Sequence, residues 1–201
     1  MGQRLVITVR NNQKDICNIY YHWSAYTRSA LDETKKIIDC ICDKDDVSEK
    51  DLLLRLIHFC ENMGGGIPGG KDSDEWKYIH DLYPNETFKA EGISRNYGLI
   101  ALSEDEMKNS QQWSEGDVII DLDEDIVNFG IFCDYENLEE YIEARRDWDD
   151  EDFDIKLEDI FDVGCDIGFF RFDEIEGVID ALDSTNAWVV RNGNVIYELT
   201  A

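Results

Sequence analysis

The sequence predicts an α+β fold, and three observations predict it. Strand-like alternation opens the chain and doubles back as a hairpin. Two helix-like periodicities follow it directly. Beyond them, strands and helices fail to alternate regularly, as they would in a doubly wound sheet. Arg4 to Arg10 sets Leu5, Ile7 and Val9 against Arg4, Thr8 and Arg10, the pattern of a half-buried strand. Asn11-Asn12 supplies a turn, and Ile16 to Trp23 reads as the returning strand. Ser24 or Thr27 can cap the next helix, in which Leu31, Thr34, Ile38 and Ile41 recur at helical spacing. Ser48 with Asp51 resembles a capping box, with Asp in place of the usual Glu or Gln. The second helix sets Leu53, Leu56, Ile57 and Cys60 on one face and stops at Gly64. Gly65 to Lys71 reads as a flexible connector, after which Ser73 caps a short helix that Pro84 ends.

The second half opens with a strand near Tyr97–Leu102, and Ser103 with Glu106 forms another cap. Val118–Leu122 and Ile126–Cys133 are β-like runs broken by Asp123-Glu124-Asp125. Asn137 opens a helix carrying Leu138, Tyr141 and Ile142. Gly168–Phe172 reads as a strand, and Ile175, Val178, Ile179 and Leu182 form a helix face. Ala187–Arg191 and Val195–Leu199 flank Asn192-Gly193, the strongest hairpin signal in the chain. The expected organisation is a near-neutral hairpin-plus-helices region over 1–96 and an acidic α+β region over 97–201, which can also form one continuous domain.

The hydrophobic fraction of 43% suits a globular core and excludes a disordered acidic tail. No apolar run approaches the roughly 18–20 residues of a membrane span, and no basic-then-apolar leader opens the chain. Met1-Gly2 is no myristoylation signal with Val at position 6. A cytoplasmic protein without membrane contact is expected. Of the six cysteines, Cys17, Cys40, Cys60 and Cys133 sit in apolar stretches, where a free thiol behaves as a small hydrophobe. Cys40-Ile-Cys42 is spaced too closely for a zinc knuckle, and His58-Phe59-Cys60 needs distant partners.

Familiar catalytic signatures fail on particular residues. Gly65-Gly66-Ile67-Pro68-Gly69-Gly70-Lys71 opens like a phosphate-binding loop, but Asp72 stands where Ser or Thr would ligate magnesium, and a helix precedes it. An N-terminal nucleophile is ruled out by Gly2, and no Gly-x-Ser-x-Gly elbow accompanies His22, His58 and His80. Asp147, Asp149, Glu151 and Glu158 fall in an EF-hand frame, but Asp152 occupies the position that needs Gly. Asp121-x-Asp123-x-Asp125 begins similarly and reaches Phe132 at position 12. No catalytic residue, metal or cofactor is therefore expected.

Charge remains. The net charge is −27, of which residues 102–201 carry −24, while residues 1–60 balance. Between Asp134 and Asp166, fifteen acidic residues face only Arg145, Arg146 and Lys156. Leu138, Tyr141, Ile142, Phe161 and other apolar anchors interleave them, so a folded scaffold is expected to hold the carboxylates. Duplex DNA carries one charge per roughly 1.7 Å of axis, and its binders answer with Lys/Arg grooves. Carboxylates on a scaffold can fill such a groove and are steered there by its field. The expected partner is thus a basic nucleic-acid-binding protein, with no direct contact to nucleic acid. The expected contact residues are Glu139, Glu140, Glu143, Asp147, Asp149, Asp150, Glu151, Asp152, Asp154 and Glu158, with Trp148 and Phe153 as apolar anchors.

Two N-terminal stretches add a resemblance. Met1-Gly2-Gln3-Arg4-Leu5-Val6-Ile7-Thr8-Val9 and Ile19-Tyr20-Tyr21-His22-Trp23-Ser24-Ala25-Tyr26-Thr27 resemble small proteins of phages and mobile elements of gut Firmicutes. In particular, they resemble an anti-CRISPR family that inhibits the type II CRISPR effector nuclease. The resemblance covers about the first 40 residues and does not extend to the acidic half. It implies a non-enzymatic inhibitor, in the bacterial host cytoplasm, that binds the RNA-guided nuclease and blocks target DNA engagement. Such nucleases hold nucleic acid in positively charged channels, which an acidic DNA mimic suits. The alternative expectation is a hydrolase or metal-dependent enzyme of a phage or mobile element with His22 in its site.

Overall fold

Leu5–Asn11 (β1) and Lys14–Tyr21 (β2) pair antiparallel in this computed structural model, with Leu5 opposite Tyr21 and Val9 opposite Cys17. The register shifts after Val9, so that Arg10 faces Asp15 and Ile16 is the extra residue of a bulge. The structure describes residues 4–25, 27–42, 47–89, 97–112, 114–131, 166–183, 188–191 and 194–198. Asn12 and Gln13 both take the left-handed conformation, with φ of 52° and 59°, which matches the twist of a two-residue hairpin. Helices α1 (Thr27–Cys42) and α2 (Glu49–Asn62) follow. Helix α1 starts at Thr27, and residue 26, between it and Ser24, lies outside the described residues. Ser48 does cap α2: its hydroxyl accepts the Asp51 N–H at 3.2 Å. The helix ends one residue before Met63, and Gly64 turns the chain at φ 92°.

Ser73 caps α3 (Asp74–Leu82) by accepting the Trp76 N–H at 3.0 Å. Leu99–Ala101 forms β3, and Ser103 caps α4 (Glu104–Gln111). Gly116–Asp121 (β4), Ile126–Ile131 (β5) and Asp166–Arg171 (β6) complete the main sheet; α5 (Ile175–Asp183) and the hairpin Trp188–Arg191 (β7) with Asn194–Glu198 (β8) follow. The fold is α+β. The six strands run β3-β2-β1-β4-β5-β6, antiparallel throughout except for the parallel pair β1–β4 at the centre. Strands from both sides of residue 96 thus share one sheet.

Strand alternation decides what each sheet face carries. Leu5, Ile7, Val9, Cys17, Ile19, Tyr21, Ile100, Val118, Ile120, Val127, Phe129 and Phe170 point to one face and are buried. Leu31, Ile37 and Ile38 of α1, Leu56 and Ile57 of α2, Ile79 of α3 and Ile175, Val178 and Ile179 of α5 close the same core. Each fully buried Leu or Ile contributes about 1.5–3 kcal/mol. The opposite face carries Thr8 and Asn18, and α4 lies over them. Thr8 Oγ1 donates to Asn18 Oδ1 at 2.9 Å, and Asn18 Nδ2 donates to Met107 O at 3.0 Å and to Ser110 Oγ at 3.2 Å. That buried polar network fixes α4 against β2.

The stretch expected as a flexible connector is instead built into the sheet edge. Gly66 donates to Gly98 O at 3.0 Å and accepts from Ile100 N at 2.8 Å, a parallel bridge alongside β3. Ile67 is fully buried. Glu75, 1% exposed, accepts the Leu102 N–H at 2.5 Å and the Ser103 N–H at 3.2 Å, and it also takes the Ser103 hydroxyl. Gly66 and Glu75 together occupy donors along the outer rim of β3, which leaves less of an open edge for another strand.

Candidate functional site

The expected contact residues, Glu139 through Glu158, lie outside the described residues, as does the helix expected from Asn137. One group of the described carboxylates lies at one end of the sheet. The β1–β2 turn, the β4–β5 turn and the end of β6 meet there, because β1 and β4 run parallel while β2 and β5 return. Residues 11–15, 121–126 and 171–176 carry eight carboxylates against Lys14 and Arg171. Asp123, Glu124, Asp125, Asp173, Glu174 and Glu176 are exposed.

Several of these carboxylates also serve the backbone. Asp123 accepts the N–H groups of Asn12 at 2.9 Å and Gln13 at 2.8 Å, bridging the two turns. Asp121 accepts the Asp123 N–H at 3.0 Å, and Asp125 O accepts from Phe172 N at 3.0 Å. Asp121-x-Asp123-x-Asp125 spans the end of β4 and the turn, residues 122–125, that leads into β5. Among the described residues, no group of three or more His, Cys, Asp or Glu is arranged to hold a metal ion.

A cavity of about 350 Å³ opens on the α4 side of the sheet. Tyr20, Leu99 and Ala101 form its sheet wall, where Tyr20 of β2 stands directly opposite Leu99 of β3. Glu106, Asn109 and Ser110, at i, i+3 and i+4 on α4, form the facing wall. Pro68 and Gly69 of the bridging loop complete it. Asn109 Nδ2 donates to Glu106 Oε2 at 3.2 Å, while Ser110 Oγ donates to Met107 O at 2.8 Å and is committed to the network on Asn18. The Tyr20 hydroxyl hydrogen-bonds His22 Nδ1 at 2.9 Å, and the His22 ring meets Trp23 edge-on at 4.9 Å. His22 thus sits in the aromatic cluster its neighbours suggested, one residue removed from the cavity lining. The helical spacing of Glu106, Asn109 and Ser110 is visible in sequence, but nothing in sequence pairs that face with Tyr20.

The other histidines are brought to Phe88. His58 stacks on it at 5.7 Å and His80 meets it edge-on at 5.3 Å. His58 Nδ1 lies 3.0 Å from Oε2 of the buried Glu61, whose other oxygen takes the Lys89 N–H. Cys60 points instead into the core, where burial pushes its thiol well above the ordinary range, so His58 and Cys60 do not form a ligand pair. Cys17, Cys42 and Cys60 are free thiols. No helix among the described residues is long and apolar enough to cross a membrane. No protein-family model matches the chain, and no curated protein or solved structure is significantly similar to it.

Proposed function

We propose that this protein is a non-enzymatic inhibitor of a basic nucleic-acid-binding protein, an RNA-guided CRISPR nuclease, acting in the bacterial cytoplasm. The observation that carries this reading is the concentration of charge: residues 102–201 hold −24 of the net −27. A groove that binds DNA is lined with Lys and Arg, and displacing counterions from it rewards any ordered polyanion. The acidic end of the sheet supports the reading, because its carboxylates sit on turns that hydrogen bonds tie to one another, which holds their spacing. The N-terminal resemblance to an anti-CRISPR family directs the choice of partner.

The test is inhibition of target cleavage by a type II effector nuclease, with pull-down across a salt series. Binding is expected at about 0.1 M salt and is expected to weaken steeply as salt rises. Replacing Asp149, Asp150, Glu151 and Asp152 together by Lys is expected to abolish inhibition. Unchanged potency in that variant removes this segment as the contact, and no binding at moderate salt removes the proposal. The enzyme reading draws on one observation, the Tyr20–His22 bond beside the cavity. It predicts that His22→Ala loses activity, whereas an inhibitor keeps its potency.

A further inference from the structure

We propose that the cavity between β2, β3 and α4 binds an alkylguanidinium group. The chemistry of its walls selects the ligand class. Glu106 is the only charged residue among the described lining residues, and Asp105 precedes it on the same helix turn while Lys108 is taken up by Glu104, so an anion is repelled and a cation attracted. The Asn109 amide gives its Nδ2 to Glu106 Oε2, which leaves its Oδ1 as a second acceptor. Glu106 Oε1 remains as a third lone-pair site beside them. A guanidinium offers only donors, arranged in a planar fork that suits a carboxylate and a neighbouring carbonyl.

The remaining surface suits the rest of such a ligand. Tyr20 contributes an aromatic side chain to the wall, its hydroxyl held by His22, and a planar guanidinium packs against aromatic walls better than an ammonium does. Leu99, Ala101 and Pro68 supply apolar contact for an alkyl stem. The walls are built before any ligand arrives: the Gly66 bridge holds the loop to β3, and the Asn18 network holds α4 to β2. A cavity of about 350 Å³ lies at the lower end of the range of small-ligand sites. The site lies away from the acidic turns, so it stands or falls independently of the nuclease reading.

The group can arrive on a free small molecule or on an arginine side chain of a protein, and the experiment separates the two. Uniformly ¹⁵N-labelled protein is titrated with agmatine and with acetyl-Gly-Arg-Gly-amide, and the same peptide with Lys or Leu in place of Arg serves as control. Saturable shifts are expected at the amides of Gly69, Leu99, Ala101 and Asn109. Stronger binding of agmatine assigns the site to a free ligand, and stronger binding of the arginine peptide assigns it to a protein-borne side chain. Glu106→Gln is expected to weaken either at least ~10-fold, as loss of a charge-assisted hydrogen bond should. Asn109→Trp, an exposed position, is expected to fill the cavity and abolish the shifts while leaving the remaining spectrum in place. Absence of saturable shifts with both guanidinium ligands overturns the proposal, as does equal binding of the Lys or Leu peptide, or unchanged affinity in Glu106→Gln.

Discussion

Gln13 holds a φ of 59° without being glycine, a conformation that costs a side-chain-bearing residue roughly 1–2 kcal/mol. The two N–H groups that Asp123 accepts offset that cost and tie the first hairpin to the β4–β5 turn. Gln13→Gly is accordingly expected to stabilise the fold by up to about 1 kcal/mol, and Asp123→Ala to destabilise it by about 1–2 kcal/mol, as read from urea midpoints. The thiols give a second residue-level expectation. Burial pushes Cys17 up to about 12, against the opposing hydrogen bond to the Val9 backbone, and Cys60 also lies well above the ordinary thiol range. Cys42 is exposed, though partial burial and the charges of Asp125 and Asp39 raise it as well. Native alkylation at pH 8, mapped by peptide mass, is expected to label Cys42 slowly and to leave Cys17 and Cys60 untouched until the protein unfolds.

At the scale of elements, the loop after α2 decides how the sheet ends. Gly65 is packed so closely against Gly98 that a Cβ there would fall 1.7 Å from the Gly98 carbonyl oxygen. That contact is with backbone, which cannot swing aside as a side-chain tip would. Gly65→Ala is expected to cost more than about 3 kcal/mol by forcing the loop off β3, detectable as a lowered melting temperature. Loss of fast-exchange protection at the Gly66 and Ile100 amides would localise the damage, since both donate across that bridge. Gly70 offers a contrast: no atom lies within 4 Å of its Cβ direction, and its need for glycine comes from its φ of 69° alone.

At the scale of the molecule, the two halves of the sequence join through the antiparallel pair β2–β3 and the parallel pair β1–β4, and an ion pair guards the start of the latter. Arg4 O accepts the N–H groups of Glu115 at 2.7 Å and Gly116 at 3.1 Å, while the Glu115 carboxylate takes the Arg4 N–H at 2.9 Å and both arms of its guanidinium. Partial burial works to raise the Glu115 carboxyl, but these bonds from Arg4 prevail and hold it below the ordinary carboxylate range. A depressed folded-state value means that the stabilisation is present above the unfolded carboxyl's titration. It is lost as pH falls through the folded one. Glu115→Gln is therefore expected to lower stability by no more than about 1 kcal/mol at pH 7, as for a partly exposed pair. The gap between variant and wild type in urea midpoint is expected to stay constant from pH 7 to about 5 and to close below about 4.

Local signals were legible wherever one stretch of chain carries its own instruction. The alternation of Leu5, Ile7 and Val9, the caps at Ser48, Ser73 and Ser103, and the face of Ile175, Val178 and Ile179 all correspond to elements of the structure. The asymmetry of charge is likewise a property of sequence alone, since no folding changes where in the chain the carboxylates lie. What only the tertiary structure decided is pairing across distance. That includes β1 beside β4, the Gly-rich stretch beside β3, Glu75 beneath the α4 cap, and Tyr20 facing Glu106 across a cavity. Those contacts join residues tens of positions apart through hydrogen bonds and packing that leave no period or spacing in either partner's own neighbourhood.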